Sequence, residues 1–132
     1  MAEPQTGPFF LPLSQWGDRT GEIGNKRAVD QVLKEGEWRL CERYGWPDNR
    51  SYLHLVAWGW RLGEERRLII VNLSEYRSQA LVPLPWEDLA GRTWRLTDAF
   101  YGEIYARDGL ELRQPGLFVD LEGWGFHFFQ IA

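Results

Sequence analysis

Between Tyr52 and Trp60 the chain is apolar on both of its alternating faces, with Tyr52, His54, Val56, Trp58 and Trp60 on one side and Leu53, Leu55 and Ala57 on the other. Side chains of a strand point to opposite faces in turn, so such a segment is stable only where both faces of its sheet are covered. Leu68-Ile69-Ile70-Val71 has the same character. The segment between them, Arg61 to Arg66 with Gly63 inside it, has the length of a hairpin loop, so the two strands are expected to pair antiparallel at the centre of a sheet.

Around this hairpin the period of two recurs in short pieces. Glu37 to Tyr44 sets Trp38, Leu40 and Tyr44 against Arg39 and Arg43, the pattern of a half-buried strand. Ser78 to Leu84 places Ala80, Val82 and Leu84 on one face, and Pro83 and Pro85 close it because proline donates no ladder hydrogen bond. Thr93 to Asp98 turns Trp94 and Leu96 inward, and further strands are expected at Leu110 to Leu112, Leu117 to Leu121 and Trp124 to Ile131. Gly45 to Asn49 reads as a turn, Trp86 to Gly91 as one helical turn, and Tyr101 to Asp108 as a connection. One helix is expected, Ala28 to Glu35, with Val29, Val32 and Leu33 at i, i+3 and i+4 and Gly36 as its stop.

The sum is an all-β chain: an antiparallel β-sandwich with Greek-key connections over 35–132, preceded by an arm over 1–34 that carries the short helix. Three prolines and four glycines break any period in residues 1–25, yet Phe9, Phe10, Leu11, Leu13 and Trp16 make that arm apolar for a linker. Eight tryptophans and an aromatic content of 15% point the same way, since wide flat side chains suit pleated surfaces.

Composition narrows the function. A net charge of -4 with scattered basic residues offers no footprint for a phosphate backbone, so nucleic acid is not an expected partner. One cysteine and two histidines cannot assemble a zinc site of usual spacing, and neither metal nor other cofactor is expected. No apolar run approaches the ~18 residues of a membrane span. The start, MAEPQTGPFF, lacks a basic region followed by an apolar stretch. No membrane partner is therefore expected, and a cytoplasmic location is the default expectation.

Candidate chemistry is sparse. The carboxylate pairs Asp98 with Glu103 and Asp120 with Glu122 invite comparison with glycoside hydrolysis, which needs two carboxyl groups about 5–5.5 Å apart for retention. Nineteen acidic residues produce such pairs by chance, and solvated or turn-forming roles are expected. His54 and His127 lie in strand-like aromatic stretches and are expected to be hydrogen-bonded structural residues, and Cys41 an inert packing residue. Asn49-Arg50-Ser51 and Asn72-Leu73-Ser74 match the N-glycosylation pattern without a secretory context. The sharper candidates are loop tryptophans, because an indole stacks on the apolar C–H face of a sugar ring. Trp46, followed by Asp48 and Asn49, and Trp86 in Pro85-Trp86-Glu87-Asp88 are the tentative carbohydrate-binding residues.

Taken in order, Glu35-Gly36-Glu37-Trp38-Arg39-Leu40, Ala57-Trp58, Arg67 to Ser74 and Gln79 to Leu84 resemble the C-terminal β-sandwich that follows the catalytic barrel of α-amylase family glycoside hydrolases. Leu96-Thr97-Asp98 with Gly102-Glu103, Gly116 to Leu121 and Trp124 to Phe129 are similar to its closing strands. The resemblance implies a non-catalytic accessory domain whose partner is a catalytic barrel or a second copy of the chain, with no catalytic residue of its own. The alternative is a module that binds α-glucan through its loop tryptophans.

Overall fold

A two-residue turn, Gly63-Glu64, joins β2 (Leu55–Leu62) to β3 (Glu65–Asn72), with Leu62 paired to Glu65 and Leu55 to Asn72. Gly63 takes φ 60, the positive value such tight hairpins require and glycine adopts without strain. In this computed structural model residues 31–132 are described. The irregular arm expected at 1–25 and the start of the helix expected at 28 lie outside them. Residues 31–35 are helical, and the helix stops at Gly36, whose amide donates to the Val32 carbonyl.

Among the described residues six further strands complete two antiparallel sheets. They are β1 (Glu37–Leu40), β4 (Ser78–Val82), β5 (Thr93–Asp98), β6 (Ile104–Asp108), β7 (Leu117–Leu121) and β8 (Phe126–Ile131). The large sheet runs β1-β2-β3-β8-β5-β6 and the small one pairs β4 with β7. The chain leaves β3 for the small sheet, and its last strand returns to lie between β3 and β5, the out-of-sequence order expected of Greek-key links.

Alternation along the central strands builds two cores. Leu55, Ala57, Leu68, Ile70, Leu96, Phe129 and Ile131 face Ala80, Val82, Leu117, Val119 and Leu121 of the small sheet. On the opposite face Trp58, Trp60, Ile69, Val71 and Phe128 pack with Val32 and Leu33 of the helix. This double cover is the reason β2 and β3 carry continuous apolar runs.

Asn72 joins the layers. It is 0% exposed, and its amide nitrogen donates to the carbonyls of Tyr76, Leu121 and Glu122 while its oxygen accepts from Ser74 N and Oγ. One buried amide thus ties the end of β3 to the end of β7, and the Asn72 glycosylation match has no side chain free to modify.

Five expectations are corrected. β1 is an edge strand that ends at Leu40 with all four of its residues exposed, Trp38 and Leu40 included, and beyond it the chain leaves the large sheet, so that the exposed Tyr44 bridges instead to Leu81 of β4. Tyr52 to His54 form a 3₁₀ turn, Ser51–His54, before β2 begins. Ile104–Asp108, expected to lie in a connection, is an edge strand whose outward positions include Ile104 and Ala106, so its alternation carries no inward apolar signal. Leu110 to Leu112, expected as a strand, belongs to a helical turn capped by Asp108, whose Oδ2 accepts from the amides of Leu110 and Glu111. Trp124 precedes β8 and sits in the β7–β8 turn at φ 60, 67% exposed.

Candidate functional site

The turn that carries Trp46, Asp48 and Asn49 is closed by two backbone hydrogen bonds, Trp46 N to Asn49 O and Asn49 N to Trp46 O, both 3.0 Å. Pro47 and Asp48 occupy its tip, a position suited to the fixed φ of proline. Asn49 then fastens the turn to the small sheet. Its Nδ2 donates to Gln79 Oε1 at 2.9 Å and its Oδ1 accepts from Ser51 N and Oγ, while Ser51 Oγ accepts from Gln79 N at 2.8 Å. Asn49 is therefore a structural clamp first, and the Asn49-Arg50-Ser51 glycosylation match is tied into the same hydrogen bonds.

On the other side of the turn, Tyr44 exchanges both backbone hydrogen bonds with Leu81, at 2.9 and 2.8 Å. Tyr44, Gly45, Trp46, Pro47, Arg50 and Tyr52 line an open cleft of about 410 Å³. Gly45 is demanded by the Tyr52 ring, which would lie 2.4 Å from a β-carbon at that position. The Arg43 guanidinium sits 5.9 Å from the Tyr52 ring centre, and its Nε donates to Tyr52 O. Trp46 meets the exposed Phe118 of β7 edge-on, ring centres 6.1 Å apart. Tyr44, Arg50 and Tyr52 are the members of this site that the sequence did not single out. A signal existed, three aromatics at 44, 46 and 52 around a Pro-Asp-Asn turn, but the alternation through Tyr44 masked it.

Trp86 does not join them. It is 7% exposed and packs on the bare backbone of Gly59 and against Arg66, whose guanidinium lies 5.7 Å from the Trp86 ring and 4.7 Å from that of Trp94. Arg66 is itself fully buried and reaches out to Asp88 through Nη2, and Arg61 pairs with the same carboxylate. The Trp86 face expected to meet a sugar is occupied by this structural stack.

The remaining candidates are consumed by the fold. Asp98 Oδ1 accepts from the amides of Phe100 and Tyr101, and its Oδ2 lies 3.3 Å from His127 Nδ1. Glu103 instead receives the Tyr105 hydroxyl at 2.6 Å, a bond that raises the Tyr105 pKa. Asp120 is held by Gln79 and Arg77, while Glu122 is exposed. His54 Nδ1 lies 3.0 Å from Ser78 Oγ, and Cys41 is buried, its thiol pushed up to about 12 by desolvation and, secondarily, by Glu42. Both histidines thus sit in structural hydrogen bonds. Among the described residues no group of His, Cys, Asp and Glu is arranged to hold a metal ion, and no helix is long and apolar enough to cross a membrane.

No family profile matches the chain, and neither does a curated protein. Solved structures do. A noncanonic maltogenic α-amylase, AmyB from Thermotoga neapolitana, superimposes with a TM-score of 0.57 at 13% identity, covering 83% of this chain and 23% of that one. The α-amylase GTA from Geobacillus thermoleovorans, in complex with acarbose, gives 0.57 at 13% identity over 84% of this chain and 21% of its own. At this identity the likeness is one of fold, and the chain spans about a fifth of the length of these enzymes. The resemblance seen in the sequence segments holds at that level.

Proposed function

We propose that this chain is a non-catalytic β-sandwich accessory domain of an α-amylase-like enzyme, packing on a catalytic barrel and adding to its stability. The observation that carries this reading is the proportion of the match: over four-fifths of this chain fits about a fifth of two amylase chains. The site chemistry agrees. The paired carboxylates are engaged in turns and cross-strand contacts, Asp98 with backbone amides and Asp120 with Gln79 and Arg77, which is a poor arrangement for an acid and a nucleophile flanking a glycosidic bond. The barrel reaches this chain either in the same polypeptide or as a separate one.

Two measurements test it. The coding region flanking this chain is expected to encode a barrel, in frame or as a neighbouring gene, and that barrel is expected to melt several degrees higher with the sandwich present than without it. Purified chain is expected to leave starch and malto-oligosaccharides intact. Hydrolysis that co-elutes with the chain through two chromatographic steps would overturn the non-catalytic reading. The alternative, α-glucan binding by loop tryptophans, draws support from the aromatic surroundings of Trp46 with Asp48 and Asn49, and none from the buried Trp86.

A further inference from the structure

We infer that the free edge of β1 pairs antiparallel with the same edge of a second copy of the chain, Trp38 opposite Trp38, joining the two large sheets into one across a twofold axis. The accessory-domain reading needs no second copy, so each stands or falls without the other.

The edge is open. β1 is an end strand of the large sheet and all four of its residues are exposed, Trp38 at 45% and Leu40 at 62%. Its other edge is paired to β2, where Cys41 N donates to Ala57 O at 2.8 Å in the register that sets Trp38 opposite Trp60. Hydrogen-bonded pairs alternate along an antiparallel ladder, so Glu37 and Arg39 turn their backbone groups to β2, and Trp38 and Leu40 turn theirs outward. Among the described residues no backbone partner meets the N–H and C=O of Trp38 or Leu40. Such an edge is a template for another strand, and proteins commonly blunt it with lysine or proline. Glu37-Trp38-Arg39-Leu40 contains neither.

Charge selects the occupant. Glu37 and Arg39 lie on one face of the strand, two residues apart and opposite in sign, and among the described residues neither forms an ion pair. In a pair centred on Trp38, Glu37 of each copy stands opposite Arg39 of the other. The Trp38 N–H and C=O of each copy meet those of the other, and the two indoles lie on the face where Trp58 and Trp60 pack with Val32 and Leu33. Opposite charges and aromatic pairs both favour cross-strand pairing. Slipping the centre to Glu37 or to Arg39 sets like charges directly opposite, so one register is selected against its neighbours. The contact is isologous and closes at two copies. An unrelated strand matches the Glu-Trp-Arg order only by chance, whereas a second copy always does.

The test is sedimentation equilibrium of the full chain from about 1 µM to 1 mM, since a four-residue edge buries little area and associates weakly. A reversible dimer is expected, weaker in high salt. Glu37→Arg and Arg39→Glu each turn both charge pairs repulsive, and each is expected to weaken the dimer at least about tenfold. The double exchange Glu37→Arg/Arg39→Glu, and an equimolar mixture of the two single variants, are expected to restore association to within about threefold of the parent. Glu75→Arg, an exposed reversal in the β3–β4 connection, controls for net charge and is expected to change nothing. Every variant is checked by thermal unfolding. Glu37 stands opposite Arg61 of β2, so if Glu37→Arg folds poorly, Arg39→Glu, opposite Gly59, and Trp38→Lys carry the comparison, both expected to weaken the dimer. A chain that stays monomeric at the highest concentration overturns the inference. So does a dimer indifferent to Arg39→Glu, or one that Glu75→Arg weakens equally. Restoration by the double exchange or by the mixture supports the pairing, and restoration by neither overturns it.

Discussion

Replacing Trp86 separates its two roles, because a sugar platform and a core residue respond in opposite ways to truncation. The indole is nearly sealed and packs on Gly59, where a β-carbon would sit 3.0 Å from Trp86 Cζ2. Gly59 has no side chain with which to refill the space, so Trp86→Ala leaves most of the ring volume as a cavity. Buried Trp→Ala changes cost about 3–5 kcal/mol. The lost contact with the Arg66 guanidinium adds about 0.5–2 kcal/mol, but the cavity lets water reach Arg66 and offsets part of that. A net loss of about 4 kcal/mol is expected, which for a domain of this size lowers the melting temperature by about 10–20 °C. Urea denaturation followed by circular dichroism measures it, and a maltoheptaose titration of the milder Trp86→Phe variant, kept well below its melting point, measures the other role. A stability loss below about 1 kcal/mol in Trp86→Ala, or loss of glycan affinity in folded Trp86→Phe, would refute the assignment of Trp86 to the core.

Gly109→Ala is expected to destabilise the fold by roughly 3 kcal/mol, at the upper end of overpacking costs, because a β-carbon there would lie 1.6 Å from the Leu89 carbonyl oxygen. A melting temperature within two degrees of the parent would contradict the close approach of these backbones. For Asp88, partial desolvation pushes the carboxyl up, but Arg66 and Arg61 together more than reverse this and hold it below its ordinary value. A carboxyl lowered on folding contributes stability that is full above its unfolded pKa of ~3.9 and vanishes as pH falls through the folded value. Asp88→Asn should therefore melt lower than the parent at pH 7, with the gap closing toward pH 2; a gap that is constant with pH would show that the pairing contributes nothing. Cys41, with its thiol pushed up to about 12, should resist a disulfide reagent at pH 8 until denaturant is added, and rapid labelling of native protein would show that the site opens.

How much was legible in the sequence depended on whether a residue's neighbours lay close along the chain. The β2–β3 hairpin was readable because two runs apolar on both faces, a short loop and Gly63 all point to one local answer. The inward face of β4, the strand at Leu117 to Leu121 and the glycine stop at Gly36 were readable for the same reason. β6 was not, since an edge strand with Ile104 and Ala106 turned outward carries no alternation to find. Leu110 to Leu112 misled because three residues are too few to tell a strand from a turn, and the cap at Asp108 decided it.

Residue type and spacing by themselves determined that this chain is an antiparallel β protein rich in aromatics, that its central strands are covered on both faces, and that Trp46 belongs to a tight turn. Only the tertiary structure decided which tryptophans see solvent. Trp46 and Trp86 each stand in a Pro- and acid-containing loop, but the strand crossing from β2 to β3 brings Gly59 and Arg66 onto Trp86 and seals it, while Phe118 from a strand far along the chain merely props the edge of Trp46. The same long-range contacts turned Tyr44 and Tyr52 toward one cleft and Asn72 into the link between layers. Burial is set by atoms remote in sequence, whereas periodicity records only what neighbouring residues do to one another.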